Sequence, residues 1–185
     1  MDSDIIYNID GDMFPINQIS LREFIGDYPI AGVPQSRLNS HYVVNYLWNG
    51  LFGFKPNEIK WDLFQWDTHL ITDDPKTGKP FPGISTDVGG TMFFYLNEEP
   101  EYKKIIHLWS GSWNKETLIN NGILIPEVLI KQLEKDPRNL NGFYFSEFYP
   151  PGFLHYRAGG NWDGYGNHSE RKESLFKGLD EILSI

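Results

Sequence analysis

From Gly89 the chain reads Gly-Gly-Thr-Met-Phe-Phe-Tyr-Leu, and no other stretch limits the fold as strongly. A Gly-Gly pair supplies a turn that few other residues make, and six mostly apolar residues then have to be buried together. Taken with period two, Met92, Phe94 and Leu96 fall on one face and Phe93 and Tyr95 on the other. Both faces are apolar or aromatic, which predicts a strand over Thr91–Leu96 covered on both sides and central in its sheet. Asn97 to Lys104 reads as a solvated loop, and Ile105 to Trp109 as a strand returning antiparallel.

The rest of the chain is punctuated around that hairpin. Helices are expected over Asn17–Ile25, closed by Gly26, and from Ser36 or Asn39 to Trp48, where Val43, Val44, Leu47, Trp48 and Leu51 recur at helical spacing. Lys60–Ile71 reads as a strand, and Thr72–Gly83, rich in Pro, Gly and Asp, as a surface loop. Pro126 opens a third helix running to about Lys135, with Val128, Leu129 and Leu133 inward. Phe143–Tyr149 alternates as a strand, and Phe153–Arg157 as another. Asn167 and Glu170 have capping-box spacing ahead of a last helix carrying Leu175, Phe176, Leu179, Ile182 and Leu183. Helices at the ends and strands in the middle predict an α+β fold, one domain over residues 1–185. Its expected form is a central, mainly antiparallel sheet flanked by N-terminal, middle and C-terminal helices.

Composition decides which chemistries remain. The chain has 185 residues, 40% hydrophobic and 16% aromatic, enough for a real core without staples. There is no cysteine, which removes disulfides, thiolate metal sites and Cys nucleophiles together. Net charge is −9 and the isoelectric point about 4.9. With no segregated basic patch, such a chain repels phosphate backbones, so direct nucleic-acid binding is not expected. Met1–Ile6 has neither a basic n-region nor a long apolar core, and no run has the length of a membrane span. Cytoplasmic residence is the expectation.

No nucleophile elbow, phosphate loop or HExxH motif occurs, and no catalytic residue or cofactor is expected. The five histidines, His41, His69, His107, His155 and His168, are dispersed. His107 and His155 sit in apolar strand contexts, where an imidazole is more often a hydrogen-bonded wall residue than a general base. Asp67 and His69 lie two apart, so a strand would point both the same way, and Asp163 with His168 would complete a metal site; a metal-dependent hydrolase is therefore one alternative. The loop Ala158–Asn167 frames Trp162 and Tyr165 with glycines, which suits stacking on a sugar or docking on a protein. A carbohydrate- or ligand-binding module is the other alternative.

Pro82-Gly83-Ile84-Ser85-Thr86-Asp87-Val88-Gly89-Gly90-Thr91-Met92-Phe93-Phe94-Tyr95-Leu96, the segment Ile105-Ile106-His107-Leu108-Trp109, and the closing Ser174-Leu175-Phe176 with spaced leucines resemble the Smi1/Knr4, or SUKH, superfamily. The resemblance implies a bacterial immunity protein that binds and occludes a cognate toxin, often a nuclease, and has no catalytic residues of its own. An acidic, aromatic face would then steer onto a basic cleft. The residues expected there are Asp73, Asp74, Glu98, Glu99 and Glu101, with Trp162, Asp163 and Tyr165 as anchors.

Overall fold

The computed structural model describes residues 5–38, 43–66, 70–73, 80–157, and 173, 176, 177 and 180. In chain order its elements are β1 (Ile6–Ile9), β2 (Met13–Pro15), α1 (Leu21–Ile25), β3 (Ile30–Leu38), β4 (Val43–Phe54) and a 3-10 turn at Pro56–Glu58. They continue with β5 (Leu70–Asp73), β6 (Pro80–Ser85), α2 (Met92–Glu98), β7 (Lys103–Lys104) and α3 (Lys115–Asn120). α4 (Glu127–Glu134), β8 (Glu147–Tyr149) and β9 (Phe153–His155) follow, and Glu173, Phe176, Lys177 and Asp180 are helical. The fold is α+β, and its strand pairs are antiparallel except β3 with β7. Among the described residues no helix is long and apolar enough to cross a membrane.

The chain forms two compact units, Met1–Asp10 with Ser20–Ile105, and Gly11–Ile19 with Ile106–Ile185. The first is built on a sheet of order β1-β4-β3-β7. The stripe from Val43 to Leu51, expected as a helix, is the strand β4. Its Val43, Val44, Tyr46, Trp48, Phe52 and Phe54 are β-branched or aromatic, and such residues fit a pleated surface better than a helix. Helical spacing at 43, 44, 47, 48 and 51 arises because both faces of this strand are buried from Tyr46 onward, so any period finds apolar partners. Between Gly32 and Val33 the β3–β4 register shifts, placing Gly32 opposite Phe52 and Val33 opposite Trp48.

The stretch expected to be the central strand is the helix α2. Met92 and Tyr95, three apart, are buried with Phe94 and join Tyr46, Leu47, Phe52 and Phe54 in one core cluster. The entry is made by Gly89, whose φ is +102°, and by a run of tight turns in which Met92 N–H donates to Gly89 O and Phe93 N–H to Gly90 O. A Cβ on Gly89 would meet the Leu47 carbonyl oxygen at 2.5 Å. Thr91–Leu96 thus makes no hairpin with Ile105–Trp109. Instead Lys103–Lys104 runs parallel to β3, and Leu108 forms a bridge with Phe148.

The second unit holds the sheet β2-β9-β8. Trp113 is fully buried at its centre, with its Nε1–H donating to the Ser146 carbonyl at 2.7 Å. Around it pack Leu118 of α3, Leu129, Ile130 and Leu133 of α4, and Tyr144, Phe148 and Leu154. α3 was not anticipated from the sequence; it starts where the Asn114 side chain accepts from Thr117 N–H at 3.0 Å. Arg138 grips the buried Asp136 carboxylate through Nε and Nη2 and lies over the Tyr156 ring.

Candidate functional site

Alternation along β8 and β9 divides the side chains of the second unit's sheet between two faces. Phe148 lies opposite Leu154, and Leu154 opposite Phe14; with Leu108 they belong to the Trp113 core. One residue on, Glu147 is opposite His155 and Tyr149 opposite Phe153. That second face is polar and still buried, which requires its charges to be paired.

Glu147 is the hub. Its Oε2 accepts from Tyr149 OH at 3.0 Å and faces His155 Nδ1 at 3.0 Å. His107 Nε2 is 3.3 Å from the same oxygen but off the hydrogen-bonding axis, and the ring lies flat against Tyr149 at 4.5 Å between centroids. Arg157 Nε stands 3.7 Å from Oε1. His155 turns its other nitrogen, Nε2, to Asp12 Oδ1 at 3.2 Å. Two carboxylates, one at each ring nitrogen, ask for two N–H donors, a demand that only the imidazolium meets.

Burial alone would lower the His155 pKa, but the hydrogen bonds to Asp12 and Glu147 outweigh it and push the group up to about 9. Burial would raise the Glu147 carboxyl; the imidazoles of His107 and His155 beside it overcome that and hold it well below the usual carboxylate range. Burial and the Glu147 charge both push the Tyr149 phenol up, so it remains a donor. An oxygen already facing a phenol O–H and two imidazoles has little capacity left to take a proton from a substrate. Among the described residues no group of three or more His, Cys, Asp or Glu could hold a metal ion. The arrangement fastens β2, β8 and β9 through charge, and His155 is the hydrogen-bonded wall residue that its apolar strand context suggests.

A second constellation lies in the first unit, on its surface. Phe54 and Phe64 each meet the Trp61 ring edge-on or nearly so, at 5.9 and 5.5 Å, and Trp61 Nε1–H donates to Pro56 O at 3.1 Å. Thus fixed, the indole remains 56% exposed. Its neighbour Lys60 pairs with Glu99, the residue that caps α2. This hydrogen bond, joined by the fields of Glu98 and Asp62, holds the Lys60 ammonium above its ordinary pKa. Glu58, Asp62, Glu98 and Glu101 are all exposed, with Glu58 3.6 Å from Lys55. An exposed, well-held aromatic therefore sits next to a lysine around which three carboxylates, Asp62, Glu98 and Glu99, gather.

Of the residues expected at a binding face, the structure brings Glu98 and Glu99 together at the end of α2, with Glu101 following in the connection to β7. Asp73 closes β5, its Cα opposite that of Pro80. Asp74, Trp162, Asp163 and Tyr165 lie outside the described residues, as do Asp67, His69 and His168 of the expected metal set. Trp61 was absorbed into an expected strand over Lys60–Ile71; residues 61–63 instead form a turn, and the Pro56-Asn57 pair just before them was the available signal. No protein-family model matches this sequence, and no significant match was found among the curated proteins or the solved structures.

Proposed function

We propose that this chain is a binding protein that recognises a basic protein and blocks it, in the manner of a cytoplasmic immunity protein neutralising a cognate toxin. The observation that carries the reading is the exposed Trp61, held by Phe54, Phe64 and Pro56 next to Lys60, around which Asp62, Glu98 and Glu99 gather. Tryptophan is the residue type most often found to dominate a binding interface, and pre-fixing its ring removes ordering cost on association. Carboxylates at the rim steer a basic surface inward and raise the association rate. The net charge of −9 works in the same direction at longer range.

The polar face around Glu147 supports the same reading from the other side, because its groups are committed to one another rather than to a substrate. The toxin expected is basic, a nuclease among the fitting classes, because an enzyme that holds nucleic-acid phosphate presents the positive cleft that these acids complement. Asp73, Asp74, Trp162, Asp163 and Tyr165 remain proposed contributors.

Growth rescue tests this. The chain is co-expressed with a candidate basic toxin, and survival is compared for the native sequence, Trp61→Ala and the double charge reversal Glu98→Lys/Glu101→Lys. Rescue by the native chain that both variants lose is the expected result. Equal rescue by all three would remove this face from the account.

A further inference from the structure

The indole of Trp61 is packed to one side and open to the other. Phe54 and Phe64 lie 5.9 and 5.5 Å from it, at 81° and 73° to its plane, and only 4.9 Å from each other. Rings that close together stand to the same side of the indole, and the 56% of the residue that is exposed faces away from them. Its one polar atom is already used, because Nε1–H donates to Pro56 O at 3.1 Å. What remains for a partner is π surface, whose negative face attracts a cation. The ionic groups next to it select the same sign. Asp62, Glu98 and Glu99 all act on the Lys60 ammonium, three carboxylates on one lysine, and Glu99 holds that ammonium directly.

We propose that the open side of Trp61 seats an arginine side chain of the partner, its guanidinium stacked on the indole and its N–H groups turned to the carboxylates around Lys60. The seat rests on the reading of this face as the contact for a basic protein, and narrows it from net charge to one kind of residue. A guanidinium suits the place better than an ammonium. It is planar and weakly hydrated, so it lies on a ring at little cost in lost water. Its N–H donors point outward in its own plane, so it meets a carboxylate without leaving the ring, whereas an ammonium has to divide itself between the two. An apolar side chain would cover the indole but leave the excess of carboxylate unanswered. Lys60 shows that the local field draws cations: the hydrogen bond to Glu99, with Glu98 and Asp62 behind it, already holds its ammonium above the ordinary pKa. Lys60 therefore competes with the incoming guanidinium for the same acids.

Proton NMR on the full chain with Nα-acetylarginine amide as the probe tests this. A group lying on an indole face is shielded by the ring, so the probe's side-chain protons should move upfield saturably, with a dissociation constant in roughly the millimolar range. The lysine analogue should bind about two- to fivefold more weakly, and the uncharged citrulline analogue should show no shift. Trp61→Leu keeps an apolar side chain without a π face and should abolish the upfield shift. Lys60→Gln removes the competing ammonium and should tighten binding about twofold or more. No shift with arginine, an equal shift with citrulline, or one that survives Trp61→Leu would overturn the inference. The toxin is not needed for any of these readings. Arginine shielded at Trp61 in a chain that rescues no cell would leave the seat and remove the toxin reading, whereas rescue without arginine shielding would remove the seat alone.

Discussion

His155 offers the sharpest quantitative test of the buried polar face. In an unfolded chain its imidazole titrates near 6.5, and in the folded chain near 9. The folded state therefore binds the proton more tightly. Its stabilising contribution is fully present below about pH 6.5 and is lost as pH rises through about 9. At roughly 1.4 kcal/mol per pH unit of difference, the total is about 3 kcal/mol for this well-buried group. Glu147 acts with the opposite sign: its depressed pKa gives stability that is present above the normal carboxylate range and lost in acid. Stability from this cluster should thus be greatest near pH 5 to 6.5 and should fall on the alkaline side by at most about 1.4 kcal/mol per unit.

Guanidinium unfolding followed from pH 6 to pH 10 reads that slope, with hydrogen exchange at the β8 and β9 amides reporting where it originates. His155→Gln keeps a hydrogen-bonding side chain but cannot carry the charge. It should flatten the alkaline slope and reduce stability at pH 6 by about 3 to 5 kcal/mol, because Glu147 and Asp12 are then left without the shared cation. An alkaline slope unchanged in the variant would refute the assignment of a buried imidazolium.

Other perturbations bear on the scaffold. Gly89→Ala places a side chain at φ +102° and against the Leu47 carbonyl, and should lower stability by about 1 to 3 kcal/mol, read as a reduced denaturation midpoint. Arg138→Ala leaves the buried Asp136 carboxylate without its guanidinium and removes a ring contact with Tyr156; a loss of about 3 to 5 kcal/mol is expected, part of it recovered by adding Asp136→Asn. Trp61→Ala, by contrast, should change stability by no more than about 1 kcal/mol, since the ring is half in water, while weakening partner binding at least tenfold. Equal losses of stability and binding in that variant would mean that Trp61 is core rather than contact.

The sequence exposes some of this directly and hides the rest for identifiable reasons. α1, α4 and β9 are legible because they carry local punctuation: Ser20 caps α1 and Gly26 ends it at φ +61°, Pro126 precedes α4, and Leu154 alternates with Phe153 and His155. β4 and α2 are read the wrong way round for one shared reason. When nearly every side chain in a segment is buried, period two and period 3.6 fit equally well, and tertiary pairing decides. β4 has β1 and β3 to bond with, while Met92–Glu98 follows turns that already close on themselves. The acids Glu98, Glu99 and Glu101 can be picked out from sequence as a charged loop. Their association with Trp61 depends on Lys60 meeting Glu99 across 39 residues, which no local pattern records. The pairing of Glu147 with His155 was half visible, because alternation in Phe143–Tyr149 put Glu147 on one face, but Asp12 comes from the far end of the chain.

The association rate constant between this chain and the basic toxin it is proposed to block, measured against ionic strength, tests the central claim most directly. The acidic face predicts a rate that falls steeply with salt for the native chain, and a lower, flatter dependence for Glu98→Lys/Glu101→Lys. A rate independent of salt, or one that the charge reversal leaves unchanged, would contradict it.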